Sequence, residues 1–494
     1  MSDELPTSQL PSPPLPTRRE MLKAAAAVGV AALAGDVLGQ VAPPATKPTP
    51  LVGIQIGALP LSQDTDRLLD TLRTVGGINA LFVFAFGHEA RFVPWPAASF
   101  VGGNYSIPHM QYYNGSNLTY DDMRAPEIPD MDLLERTMKA TRKHGFKTYA
   151  LIEESEGEPP NPHWQAFYET SFHGRRQSGA CSNNPAYRAF SMGLMEDYVR
   201  SYDVNGFMWS SERQGGLTNA IGARHGGAAT NPANSTCFCQ YCTKKGADLG
   251  INVDRAKQGF TALEAFVRAG RAGKRPRDGY FVAFMRLMLD YPELLQWEAL
   301  WINSRKQLMI DMRNRVKSVN SSTPVGFHVW HNASFSPFYR AEIDFADMAK
   351  NADFIKPVVY NSCAGSRMTS FINSVGQTIF GDVPPAQLLQ AMYEMFDYKE
   401  APYGQLAAAG FSTDYIAREV KRTIDDVAGS NVPVYAGLDI DIPGSTYTAD
   451  SVKQSVMTAF NAGANGVIFA RNWGEMNPDH VAGVGAAVKE LGFN

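Results

Sequence analysis

The sequence has no excess of charge of either sign. Lysine and arginine number 45 against 49 aspartate and glutamate residues, which gives a formal net charge of -4 and a pI near 6.2. Without a basic field, the surface has no electrostatic means of holding nucleic acid or an anionic membrane. We therefore expect a neutral or small polar substrate. A hydrophobic content of 44% is enough to bury a large globular core.

A membrane-spanning apolar run is lacking at the start of the chain. The apolar segment 24–34 is far shorter than the roughly 18 to 20 residues that a bilayer span requires. It follows Arg18-Arg19, and the pattern resembles a twin-arginine export signal. We predict a signal peptide over 1–40, a disordered lead-in over 41–50, passage through the twin-arginine translocase, and a periplasmic or secreted protein. A surface helix with a chance arginine pair is the alternative.

Cysteine is scarce, with five residues in the chain. In an exported protein five cysteines would ordinarily suggest disulfides. Three of them, Cys237, Cys239 and Cys242, nevertheless fall within six residues as C-x-C-x-x-C. That spacing is poor for bridges among the three and good for binding one metal ion. Reduced, buried cysteines without a metal are the alternative.

A glycine-rich phosphate turn is missing after the first predicted strand, which disfavours a doubly wound nucleotide-binding sheet. Short apolar strands instead alternate with amphipathic helices over 51–494, which predicts one (β/α)8 TIM barrel of the α/β class. A long insertion over about 213–279 follows the fourth strand. The predicted strands are 51–56, 80–86, 147–152, 206–211, 324–330, 353–360, 432–438 and 466–470.

The ends of these apolar strands carry polar and aromatic residues. In a (β/α)8 barrel the chemistry lies at the carboxyl ends of the strands. Carboxylates, amides and aromatic faces together are typical of a sugar site, so we predict substrate contacts from these ends. The predicted substrate-binding residues are His88, Glu153, Glu154, His328, Trp330, His331, Lys356, Tyr360, Arg471, Asn472, Trp473 and Glu475.

Alternation along the fourth and seventh strands singles out a carboxylate pair. Met208, Ser210 and Glu212 share one face of the fourth strand, and Asp439 and Asp441 share one face of the seventh. Two carboxylates on either side of a glycosidic bond suffice for its hydrolysis. A structural ion pair of Glu212 with Arg213 or Arg224 is the alternative, and Asp439 or Asp441 could equally be structural.

The segment from Cys181-Ser-Asn-Asn-Pro-Ala-Tyr-Arg188 through Glu212 to the C-x-C-x-x-C motif resembles the family 42 β-galactosidases of the glycoside hydrolase superfamily. The resemblance implies a closed, structural zinc site formed by Cys181, Cys237, Cys239 and Cys242, with Cys363 outside the ligand set. It also implies that Glu212 is the general acid. The chain departs from the family at Ser211, where the family has asparagine, and on the seventh strand, where it has aspartates in place of a glutamate.

These observations predict an exported glycoside hydrolase that acts on an oligosaccharide or glycoside. Glu212 is the expected acid/base, and Asp441, or failing that Asp439, is the second carboxylate. Zinc is the expected structural metal, no organic cofactor is expected, and a homo-oligomer is possible in principle. A carbohydrate-binding barrel without hydrolytic activity is one alternative. A sugar lyase or isomerase that uses Lys356, Tyr360 or the histidines is another.

Overall fold

Eight parallel strands form the central sheet of the computed structural model. In chain order they are β1 Leu51–Ile56, β2 Ala80–Gly87, β3 Lys147–Glu154, β4 Gly206–Ser211, β5 Val325–Val329, β6 Phe354–Pro357, β7 Tyr435–Asp439 and β8 Gly466–Ala470. Their order across the sheet is β6-β5-β4-β3-β2-β1-β8-β7. Parallel bridges from Ile355 to Val434 and from Val358 to Gly437 join β6 to β7 and close the ring. The predicted (β/α)8 barrel is thereby confirmed.

The structure describes residues 49–57, 65–87, 91–93, 99–101, 106–123, 132–154, 163–441, 447–470 and 477–493. The predicted signal peptide lies outside these ranges. So do five of the predicted substrate-binding residues, namely His88, Arg471, Asn472, Trp473 and Glu475. Within the described ranges, no helix has both the length and the apolar character needed to cross a bilayer.

Helices follow the strands around the barrel. The described helices are α1 Thr65–Thr74, α2 Tyr120–Met123, α3 Leu133–Lys143, α4 Pro185–Ser201, α5 Gly216–Ala220, α6 Gln240–Asp248, α7 Val253–Arg271, α8 Tyr280–Asp290, α9 Glu293–Val319, α10 Pro337–Glu342, α11 Phe345–Ala349, α12 Asn361–Val375, α13 Pro385–Phe396, α14 Tyr403–Ala409, α15 Thr413–Asp426, α16 Ala449–Asn461 and α17 Pro478–Glu490. Short antiparallel hairpins pair Arg91–Val93 with Ser99–Val101, and Tyr168–Thr170 with Arg176–Ala180.

The barrel interior has an apolar layer that follows the predicted alternation. Met208 on β4 and Tyr435 on β7 pack inside, whereas Phe207, Trp209 and Leu438 pack against the helices. The buried interior residues are Leu51, Ala80, Phe82, Phe84, Tyr149, Leu151, Met208, Phe354 and Ile468. Both sides of each strand are therefore buried, as expected for a parallel sheet covered by helices.

A polar layer lies one step further along the same inward faces. On six strands, the next inward-facing residue toward the carboxyl end is polar. These residues are Gln55, Glu153, Ser210, His328, Lys356 and Asp439. The strand register places Lys356 beside His328 and Glu153 beside Ser210. Because all strands are parallel, this polar layer lies at the carboxyl end of the barrel, where catalytic residues of this fold are found.

Candidate active site

Glu212 follows β4 directly, and its side chain is 46% exposed. Its Oε1 lies 3.7 Å from Nε2 of His328 on β5, which is longer than a hydrogen bond. Desolvation favours the protonated carboxyl, but His328 and the positive charge of Arg367 outweigh it and lower the pKa of Glu212 to about 2. At neutral pH Glu212 is therefore ionised.

His328 is neutral under the same conditions. Its burial disfavours the imidazolium, the ammonium of Lys356 adds to the effect, and Glu212 only partly opposes it, so the pKa falls to about 4. Neither ring nitrogen of His328 has a hydrogen-bond partner among the described residues. Nε2 of His225 and Nε1 of Trp330 are likewise buried and unpartnered there. Buried polar atoms without partners are costly, and a polar ligand would satisfy them.

Lys356 on β6 is fully buried, with 0% of its surface exposed. Burial lowers its pKa to about 7, against the opposing charges of Glu212 and Glu153. Its Nζ lies 3.3 Å from Oε1 of Gln55 and 3.5 Å from the Tyr360 hydroxyl. Gly437 on β7 makes room for the stem, because a Cβ there would lie 2.8 Å from Cε of Lys356.

Asp439 ends β7 and is 1% exposed. Burial raises the pKa of its carboxyl to about 6, although a hydrogen bond from the Ser362 hydroxyl partly opposes the rise. The Tyr447 hydroxyl donates a second hydrogen bond across 3.3 Å. Asp439 therefore retains its proton in mildly acidic solution, whereas Glu212 does not.

Both carboxylates influence the pKa of Tyr360. Burial, then the negative charge of Glu212 and that of Asp439, raise the pKa of the Tyr360 phenol well above its ordinary value, and Arg367 opposes them. Arg367 also lowers the pKa of both carboxyls. Glu212 and Asp439 thus interact electrostatically with the same tyrosine and the same arginine. We call Glu212, His328, Lys356, Tyr360, Arg367 and Asp439 together the mouth site.

Arg367 was not predicted from the sequence. It lies on α12, which follows β6. No helix is predicted there from the sequence. Its Nη1 donates to Nδ1 of His331 across 2.8 Å, and its guanidinium lies 5.8 Å from the Tyr360 ring centroid. The helix has a signal that would have revealed it, since its buried apolar residues recur at helical spacing: Met368, Phe371, Ile372 and Val375.

Asp441, the first choice for the second carboxylate, makes different contacts. Its Oδ1 lies 2.7 Å from Nδ1 of His480, and its Oδ2 accepts from the backbone N–H of Asn477 at 2.6 Å. Both partners belong to the start of α17. Asp441 has a φ of 54°, a left-handed conformation that aspartate tolerates better than most residues. These contacts favour Asp439 over Asp441 as the partner of Glu212.

Two further predicted substrate contacts belong to the interior of the protein. His331 is buried between Arg367 and Tyr415, whose hydroxyl lies 3.0 Å from its Nε2. Trp330 is also fully buried, with the guanidinium of Arg224 4.9 Å from its ring centroid. His331 therefore supports the mouth site through Arg367, whereas Trp330 contacts Arg224 and its Nε1 has no partner among the described residues.

Glu154 forms part of a buried ion triad. Arg213 lies between Oε1 of Glu154, 2.6 Å from its Nη1, and Oε2 of Glu169, 2.8 Å from its Nη2. Alternation along β3 places Glu153 on the inward face and Glu154 on the outward face. Of the adjacent glutamates, Glu153 is therefore the one directed toward the mouth site.

The four predicted metal ligands converge. The Sγ atoms of Cys181, Cys237, Cys239 and Cys242 lie within 4.8 Å of one another, and the cluster could hold a metal ion. Cys181 Sγ is 3.5 Å from the Sγ atoms of both Cys239 and Cys242. A tetrahedral site with zinc–sulfur bonds of about 2.3 Å has sulfurs about 3.8 Å apart, so the donor set and spacing fit.

No known protein-family profile matches the chain, and no curated protein matches it. Similar solved structures are glycoside hydrolases. They include α-L-fucosidase isoenzyme 2 from Paenibacillus thiaminolyticus, with 13% identity, a TM-score of 0.47 and 90% of this chain covered. The chain spans 49% of that fucosidase.

Two more similar structures are spanned almost entirely. The PgaB (BpsB) glycoside hydrolase domain from Bordetella bronchiseptica has 12% identity and a TM-score of 0.47, with 89% of this chain and 97% of that chain covered. The β-amylase catalytic domain from Paenibacillus polymyxa has 10% identity and a TM-score of 0.48, with 90% and 99% covered. At these values the likeness carries no information about chemistry, which has to come from the mouth site.

Proposed function

We propose that the protein is a glycoside hydrolase in which Glu212 and Asp439 are the two carboxylates. The observation that supports this function is that both carboxylates lie at the carboxyl end of the same barrel, Glu212 after β4 and Asp439 at the end of β7, where the charge of Arg367 acts on each. Two such groups with opposite protonation states are what glycosidic bond hydrolysis requires.

The pKa values assign the roles. Glu212, with a pKa near 2, is the ionised group that attacks the anomeric carbon or activates a water molecule. Asp439, with a pKa near 6, is the group that supplies the proton to the departing oxygen. This assignment reverses the family pattern, in which the strand-four glutamate is the acid.

The proton of Asp439 has to reach the substrate from a buried position. The Ser362 hydroxyl hydrogen-bonds to Asp439 and is itself half-buried in the first turn of α12. We infer that this hydroxyl passes the proton outward, receiving one from Asp439 as it gives its own to the leaving oxygen. The unpartnered nitrogens of His225, His328 and Trp330 would bind the hydroxyls of the sugar.

Turnover of aryl glycosides tests the proposal. The wild type should release nitrophenol from at least one nitrophenyl glycoside, and Glu212→Gln should lower kcat by about 10² to 10⁴-fold. Asp441→Asn is the matched control, because that carboxylate contacts α17 and not the mouth site. Unchanged turnover in Glu212→Gln, or an equal loss in both variants, would contradict the assignment.

Lys356 supports a second candidate function, a sugar lyase or isomerase. An amine with a pKa near 7 exchanges protons readily at neutral pH, and the adjacent Tyr360 hydroxyl could share the proton. This reaction would give an unsaturated or keto product, which ultraviolet absorbance and a reducing-sugar assay distinguish from a hydrolysis product. This candidate is second to hydrolysis because the hydrogen-bond partners of buried Lys356, Gln55 and Tyr360, are buried as well, whereas buried Asp439 contacts the half-buried Ser362 hydroxyl.

We also propose that the cluster of four cysteines binds zinc and that this metal is structural. Four thiolates fill a tetrahedral coordination sphere and leave no position open for substrate. Asn183 donates from Nδ2 to Cys242 Sγ across 3.3 Å and accepts from Lys245 Nζ at 2.9 Å, so the cluster has polar support. Zinc there would join the loop before α4 to α6. Export through a twin-arginine signal remains a prediction.

A further inference from the structure

A polar cavity of about 300 Å³ lies beyond the carboxyl end of β4. Its walls come from the hairpin strand Arg176–Ala180, the segment after β4 and the turn around residues 230–236. Sites for small molecules begin at about this size. Gln177, Ser178, Gln214, Asn219 and Asn234 supply amide and hydroxyl groups to the wall. We call this space the side cavity.

The side cavity adjoins the mouth site at two points along the chain. Gln214 lines the cavity two residues after Glu212. Arg224 lines it one residue before His225, and the Arg224 guanidinium stacks on Trp330. These short connections place the side cavity at the same, carboxyl end of the barrel as the mouth site.

The walls have two buried polar atoms without partners. Nε2 of Gln214 donates to no group among the described residues, although Gln214 is only 2% exposed and its Oε1 accepts from Asn332 at 3.0 Å. Oδ1 of Asn219 likewise has no donor within the described chain. Both residues line the side cavity, and a hydroxyl group, which both donates and accepts, could complete one unsatisfied donor and one unsatisfied acceptor.

The charge balance of the side cavity favours an uncharged ligand. Arg213 lines the cavity, but it is already paired with both Glu154 and Glu169. Arg224, whose guanidinium lies over the Trp330 ring, is the second arginine of the wall, and Glu169 is its carboxylate; the remaining wall is dominated by side-chain amides and hydroxyls. Such a surface is suited to a neutral compound with many hydroxyl groups, and it gives an anion little net attraction.

We propose that the side cavity binds one neutral sugar unit of the substrate, next to the bond that the mouth site cleaves. The proposal rests on the proposed glycosidase function for the identity of the mouth-site ligand. It implies that the substrate is an oligosaccharide, not a glycoside with one sugar and a small leaving group. Gln214 and Asn219 would contact hydroxyls of that unit directly.

Thermal stabilisation of the full chain tests the side cavity separately from turnover. In a Glu212→Gln background, glucose, galactose, maltose and lactose would be titrated against Tm, with sodium sulfate as the anionic probe. Asn234→Trp blocks the cavity, since Asn234 is an exposed lining residue. Asn314→Trp, at an exposed position on α9 outside the cavity, is the matched control. Ser178→Tyr is a second blocking variant in case Asn234→Trp misfolds.

The expected result is that at least one sugar raises Tm in the Glu212→Gln protein and in the Asn314→Trp control. Blocking the cavity should raise the apparent Kd of that sugar by about tenfold or more. Equal stabilisation of blocked and control proteins would overturn the proposal, as would stabilisation by sulfate alone or by none of the sugars. Turnover of nitrophenyl glycosides by the wild type would meanwhile keep the proposed function intact, so the two failures are distinguishable.

Discussion

Arg367 donates a hydrogen bond to Nδ1 of His331, and the two atoms are 2.8 Å apart. Burial and the Arg367 charge keep the pKa of His331 well below its ordinary value, so the imidazole is neutral and can accept. Its other nitrogen contacts the Tyr415 hydroxyl. A buried histidine thus orients the arginine that lies near both carboxylates, and this arrangement makes Arg367 a positioning residue for the mouth site.

Removal of the Arg367 charge should shift the pH dependence of turnover. Because Arg367 lowers the pKa of Asp439, Arg367→Ala should raise that pKa and move the basic limb of kcat/KM to higher pH. Arg367→Lys retains the charge and should restore most of the original profile. A lower kcat with an unmoved limb in Arg367→Ala would indicate a merely structural role.

The wild-type profile itself should be acidic. Asp439 has to be protonated and Glu212 ionised, so kcat/KM should be maximal between their pKa values of about 2 and 6. Above about pH 6 it should fall about tenfold per pH unit as Asp439 loses its proton. Activity that instead rises through pH 7 would favour Lys356 as the base, because its amine becomes neutral there.

Ser362→Ala provides a separate test of the proton route. The Ser362 hydrogen bond stabilises the ionised form of Asp439, so its loss should raise the Asp439 pKa and move the basic limb upward. If the hydroxyl also passes the proton, kcat should fall by about 10²-fold while KM changes little. A shifted limb with unchanged kcat would leave Asp439 as the acid and exclude Ser362 from the route.

Arg213→Met should destabilise the fold strongly. The substitution leaves Glu154 and Glu169 buried without their shared cation, and loss of one member of a buried ion cluster costs about 3–5 kcal/mol. Chemical denaturation would measure the change in the free energy of unfolding. Arg286→Met is the control, since its ion pair with Asp278 is at the surface, and it should leave the midpoint almost unchanged.

Metal content should follow the cysteine cluster. Purified wild type should contain about one zinc ion per chain by elemental analysis, and Cys242→Ser should lose the ion and unfold at a lower temperature. Cys363→Ser, which changes a buried cysteine outside the cluster, should retain the zinc. Equal zinc content in the wild type and Cys242→Ser would contradict the site.

The sequence predicted well whatever depends on local alternation. The bounds of β1, β4 and β8 match the predicted strands, and the inward face of β4 and β7 follows from residue parity. The cysteine cluster was equally accessible, because three of its members lie within six residues and a ligand motif is local. Residues 280–319 form two helices, α8 and α9, separated at Tyr291-Pro292, where proline has no N–H for a continuous helix.

Partners that are distant in sequence could not be predicted. Glu154 meets Glu169 through Arg213, and alternation along β3 marks Glu154 as the outward glutamate without revealing either of these partners. The sequence also could not predict that the pKa of Asp439 exceeds that of Glu212. This difference depends on burial of Asp439 and on the contact between His328 and Glu212, both of which arise only when the ring of strands closes.

Gly437 belongs to the seam where that ring closes, and the seam is held by few backbone hydrogen bonds. Those from Ile355 N–H to the Pro433 carbonyl and from Val359 N–H to the Gly437 carbonyl join β6 to β7. Lys356 lies on one side of this joint and Asp439 on the other. Transient separation of β6 from β7 would change the distance between Lys356 and Asp439, both of which titrate. Hydrogen–deuterium exchange at the Ile355 and Val359 amides would measure how often the strands separate.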